Sequence, residues 1–107
     1  MTVDLSGRSL GILVRKDLYL DQVISLVNAA YERGVHTEVF FTGRAVLLTR
    51  DPDFSKLVGK ADRISVCDVS YRANDLSGEV PGVGFKDFVT QARNAEMVAE
   101  CERYVVF

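Results

Sequence analysis

Apolar residues in this chain come either as short unbroken runs or at three- and four-residue spacing. Leu10-Gly11-Ile12-Leu13-Val14 is an unbroken run of strand length, closed by Arg15-Lys16-Asp17. Its lack of polar alternation predicts a strand covered on both faces. Across 18–33, Leu20, Val23, Ile24, Val27, Ala30 and Tyr31 recur on one helical face. Asp21 stands near the positive end of that helix dipole, and Gly34 stands where the helix stops. A second strand is predicted over 35–42, centred on Val39-Phe40-Phe41 and broken by Gly43. The pattern over Ala45-Val46-Leu47-Leu48 fits a short helix or a turn equally. Asp51-Pro52-Asp53 is a helix-start signal, which predicts a short helix over 54–58 ended by Gly59.

A third strand is expected over 61–67, with the run Ile64-Ser65-Val66-Cys67 ending on a thiol. Residues 77–84 carry three glycines and Pro81 and must be a loop. Helical spacing returns over 85–101 through Phe88, Val89, Ala92 and Ala95, with a break near Asn94 dividing two helical pieces. Arg103-Tyr104-Val105-Val106-Phe107 is strand-like, and such an apolar tail needs pairing in a sheet or at a subunit contact. The segment 73–80 has no assignment, and 2–9 is a polar lead-in. This alternation predicts an α/β three-layer sandwich with a mainly parallel central sheet of about five strands and helices on both faces. No repeat or linker divides the chain, so 1–107 is read as a single domain.

The totals narrow the function. At 107 residues, with 48% apolar and 26% charged, the chain is long enough for one core and unlike a disordered polymer. A net charge of -2, with lysine and arginine scattered, gives no general attraction for nucleic acid. The apolar runs are much shorter than a membrane span and the start lacks a signal-peptide pattern, so the expectation is a cytoplasmic protein with no membrane partner. Gly7 to Gly11 and Gly78 to Gly84 match neither phosphate-loop spacing and read as turns. No cofactor is implied. With His36 the only histidine and no CxxC pair, no metal site is expected either.

In an open parallel sheet, ligands gather at the carboxyl ends of the strands. That edge should collect Arg15 and Lys16 after the first strand, Gly43 and Arg44 after the second, and Cys67 after the third. Nearby cations and a helix start, which 69–73 would supply, favour the thiolate; Arg72 lies one turn on, while Asp68 opposes the shift. A free cysteine is also a common core residue, and that is the reading for Cys101 at a helix-to-strand junction. His36 reads as a solvated or capped side chain without a catalytic role.

The order of elements and three motifs resemble the DsrE/DsrF-like family of sulfur-relay proteins, which includes the TusD-type carriers. The motifs are Val39-Phe40-Phe41-Thr42-Gly43-Arg44-Ala45-Val46, Ile64-Ser65-Val66-Cys67 and Cys101-Glu102-Arg103-Tyr104-Val105-Val106-Phe107. The resemblance implies a persulfide carrier. The cysteine matching the family's own is Cys67, which would take sulfane sulfur from a donor protein and pass it to an acceptor protein. It also implies a homo- or hetero-oligomer. Arg44 is the first candidate to steady the sulfur anion, followed by Arg72, Arg15 and Lys16. The alternative is a non-catalytic scaffold or docking subunit of a sulfur-relay or redox complex. A thiol redox sensor would need Cys101 as a resolving partner, and the expected sheet keeps Cys101 away from the thiol's edge.

Overall fold

The structure is a computed structural model that describes residues 4–107; Thr2 and Val3 of the lead-in lie outside them. Its strands are β1 (Ser9–Val14), β2 (His36–Phe41), β3 (Arg63–Cys67), β4 (Phe88–Val89) and β5 (Arg103–Val106). They form one sheet in the order β4-β3-β2-β1-β5, parallel throughout. The helices are α1 (Leu20–Glu32), α2 (Asp68–Ala73) and α3 (Ala92–Glu100), with 3-10 segments at Gly43–Arg50, Pro52–Leu57 and Phe85–Asp87. The expected parallel sandwich is the architecture observed.

Strand pairing sorts side chains onto two faces, because successive residues of a strand point to opposite sides. Val14, Phe41 and Val66 align across three strands, as do Ile12, Val39 and Ile64. These residues pack with Leu20, Val23 and Val27 of α1, with the 3-10 residues Ala45, Val46 and Phe54, and with Tyr71 of α2. The other face sets Leu13 beside Phe40 and adds Cys67 and Met97 of α3. Gly11 points to that same face, where a Cβ would stand 3.2 Å from Tyr104 Cδ2 and 3.3 Å from Cys101 Sγ. The missing side chain lets the end of α3 approach the sheet.

The expectation of two helical pieces over 85–101 is corrected. Only Ala92–Glu100 is α-helical; Phe85–Asp87 is a 3-10 turn and Phe88–Val89 is a strand. Phe88 pairs with Val66 and Val89 with Cys67, and the Phe88 ring meets Tyr71 edge-on at 5.0 Å. An aromatic and a β-branched residue fit a sheet edge, and this long-range pairing outweighs a local spacing that mimicked a helix. The ambiguous segment 45–48 belongs to the 3-10 helix Gly43–Arg50, and the helix expected over 54–58 is the 3-10 helix Pro52–Leu57. No strand forms over 73–80 beyond a single bridge between Val80 and Val83.

Candidate functional site

β3 passes into α2 without a loop, so Cys67 is both the last strand residue and the N-cap of the helix. Its neighbours at the carboxyl edge come from the strands on either side. Thr42 follows Phe41, the partner of Val66 on β2, and Gln91 follows β4, whose Val89 pairs with Cys67 itself. Ser70 reaches back from the first turn of α2. The ends of the two flanking strands and the start of α2 therefore supply the surroundings of a single sulfur atom.

Polar groups here form a connected set. Gln91 Nε2 donates to Thr42 Oγ1 at 2.8 Å, and the Gly43 N–H donates to Ser70 Oγ at 3.0 Å. The Thr42 and Ser70 hydroxyl oxygens lie 3.5 Å apart. Gly43 takes a left-handed backbone with φ of 57°, and a Cβ there would stand 3.3 Å from the Arg15 carbonyl oxygen. Only glycine makes that turn at low cost, and the turn aims the N–H at Ser70.

Burial is the largest influence on the Cys67 thiol and pushes its pKa up. Against it, the Ser70 hydroxyl and N–H, the Thr42 hydroxyl and the Gln91 amide favour the charged form, and together they hold the thiol below its ordinary value of 9.0. The neutral side chain makes no capping hydrogen bond to α2. These donors therefore act on the thiolate, whose full charge draws N–H and O–H groups more strongly than a thiol does. All of them are electrically neutral.

The four cations anticipated for this anion lie elsewhere or are already engaged. Arg44 pairs with Asp17 at 3.5 Å, and Arg72 pairs with Asp68 at 3.0 Å. Arg15 and Lys16 share the carboxyl edge but line a cleft of about 340 Å³ with Tyr19, Val106 and Phe107, at the β1–β5 end of the sheet. Cys101 packs against Gly11, and its S–H donates to Glu38 Oε2 at 3.4 Å. Its thiol is pushed up, first by burial and then by the Glu100 charge, with Arg93 opposing. His36 opens β2 at the opposite sheet edge, with Nδ1 3.2 Å from Asp62 Oδ1. Among the described residues no group of three or more His, Cys, Asp or Glu side chains could hold a metal ion.

Tyr71 anchors α2, and with it the position of Cys67. Its hydroxyl accepts from Arg50 at 2.6 Å and reaches the carbonyl oxygens of Ser77 and Gly78 at 3.2 and 3.1 Å. Arg50 also donates to the Ser77 carbonyl. Beside this anchor an open groove of about 1140 Å³ runs between α2 and the segment 76–85, walled by Asp68, Tyr71, Arg72 and Phe88. The wall begins one residue past the thiol, and Cys67 itself is 4% exposed. Val69 of α2 and Phe85 on the groove wall, by contrast, are 72% and 84% exposed.

Thr42, Ser70 and Gln91 are site residues that the sequence reading passed over. Thr42 lies within the motif Val39 to Val46, and Ser70 sits three residues after Cys67, the spacing at which an N-cap group meets a helical N–H. Those two signals were available. Nothing in the string pointed to Gln91. No protein-family model, curated protein or solved structure matches this chain.

Proposed function

We propose that the chain is a sulfur-relay protein that carries sulfane sulfur as a persulfide on Cys67. The observation that carries this reading is the convergence of neutral donors from two strand ends and a helix start on one thiol, which favours its anion. A thiolate is the nucleophile that such transfer needs. It attacks the terminal sulfur of a donor persulfide, forming a new S–S bond as the donor's S–S bond breaks. The terminal sulfur moves with its proton, and the electron pair leaves on the donor's own sulfur as a thiolate. No net oxidation occurs, and an acceptor thiolate takes the sulfur by the same step. The resemblance in the motifs around Phe40, Cys67 and Tyr104 supports this assignment and, with it, a cytoplasmic oligomer. Incubation with a low-molecular-weight persulfide and intact mass measurement tests it: one added sulfur is expected, and it should be absent in Cys67→Ser and retained in Cys101→Ser.

One observation favours a second reading. Cys67 is only 4% exposed, while Val69 two residues on and Phe85 on the neighbouring groove stand open to solvent. This suits a docking subunit whose thiol is packing and whose apolar surface meets a partner protein. The readings separate on alkylation at neutral pH: a carrier reacts at Cys67 faster than at Cys101, and a docking subunit reacts slowly at both.

A further inference from the structure

We propose that Gln91 is a positioning residue whose amide turns the Thr42 hydroxyl proton toward the Cys67 sulfur; the inference rests on the carrier reading of Cys67 and deepens it. A hydroxyl has one proton and can accept as well as donate. Gln91 Nε2 occupies an acceptor side of Thr42 Oγ1 at 2.8 Å, so the threonine's proton remains to be given, to the Cys67 thiolate or to Ser70 Oγ at 3.5 Å, and the full charge on the sulfur draws it more strongly. The Gly43 N–H does the same for Ser70 Oγ at 3.0 Å. Both hydroxyls beside the sulfur thus accept from amide N–H groups, and the Gln91 amide also favours the thiolate directly. Such chains strengthen each donor through polarisation of the next.

The placement of Gln91 argues that its side chain is committed to this site. It is the N-cap of α3, where Ser, Thr, Asp and Asn are the effective residues, yet its side chain makes no capping bond. The nearest substitute is Thr90 Oγ1, which accepts from the Ala92 N–H at 3.3 Å. Instead the Gln91 amide crosses to the end of β2, 49 positions away in the chain. A local preference given up in favour of a long-range contact is what functional positions show. Neutral donors also have a consequence that cations lack: their effect on the thiolate is little screened by salt.

The test is the pH dependence of Cys67 alkylation, read by mass spectrometry of the Cys67 peptide so that Cys101 does not contribute. Gln91 is exposed, so Gln91→Leu should leave the fold intact. Its midpoint is expected to rise by about half to one unit, the scale of one donor lost from an anion. Gln91→Glu should raise it at least as far, because a carboxylate accepts the Thr42 proton and turns it from the sulfur. Gln91→Asn should restore part of the shift. In a Thr42→Val background the effect of Gln91→Leu should shrink to the direct influence of the amide on the thiolate, since the route through the hydroxyl is gone. The wild-type midpoint should move little between low and high salt. Equal midpoints for wild type and Gln91→Leu, or an undiminished effect in Thr42→Val, would overturn the inference. Failure of sulfur uptake with these midpoints as expected would instead overturn the carrier reading alone.

Discussion

Two free thiols lie on the same face of this sheet under opposite electrostatic pressure. Cys67, at the carboxyl edge, is held below the ordinary thiol value of 9.0 because surrounding donors outweigh burial; Cys101 is held above it because burial and Glu100 outweigh Arg93. Folding must then respond to alkaline pH in two directions. A depressed folded value means that stability from Cys67 grows as pH rises through that value and is complete above 9.0, where the unfolded thiol also ionises. A raised folded value means that stability from Cys101 is complete below 9.0 and is lost as pH climbs through the folded value. Urea unfolding from neutral to alkaline pH should show Cys67→Ser losing ground to wild type as pH rises, and Cys101→Ser gaining it. The strand-end position of Cys67 was legible from the run Ile64-Ser65-Val66-Cys67. The source of its acidity was not, because Thr42 and Gln91 reach it through strand pairing that no local pattern encodes.

Among the elements, α3 is tied to the sheet by a charge cluster rather than by a long apolar stripe. Met97 and Arg93 are its buried residues, and Arg93, 7% exposed, pairs with Glu38 of β2 and with Glu96 one turn on. Arg93 Nε is buried without a partner, so the guanidinium is not fully satisfied even in the native state. Removing the cation would strand the Glu38 carboxylate against the helix. Arg93→Ala is therefore expected to cost about 3 kcal/mol in urea unfolding, and replacing both partners by apolar residues of similar volume should recover most of that. Helical spacing made α1 legible almost residue for residue. It misread Phe88 and Val89, whose positions happen to suit a helix face but whose neighbours on β3 and α2 draw them into the sheet.

On the scale of the whole molecule, no helix among the described residues is long and apolar enough to cross a membrane. The parallel sheet was legible in the alternation of runs and spacings; the strand order was not, since nothing local says that β5 returns past β2 to lie against β1. That return sets the folding kinetics. Contacts between distant segments must be bought with loop closure before they stabilise anything, so stopped-flow refolding should run in milliseconds to seconds rather than microseconds. Variants that weaken the β1–β5 pair should mainly speed unfolding if that pair forms after the transition state.

The place of β5 also matters while the chain is being made. The Glu102 N–H donates to Ser9 Oγ across 93 residues, so one flank of β1 stays bare until the polypeptide that will cover it has been synthesised. At translation speeds of roughly 5–20 residues per second, that interval is on the order of 5 to 20 seconds. During it, the nascent chain presents Leu10 to Val14 as an open template for a neighbouring polysome or a chaperone, and the arrival of Arg103 to Val106 closes the window.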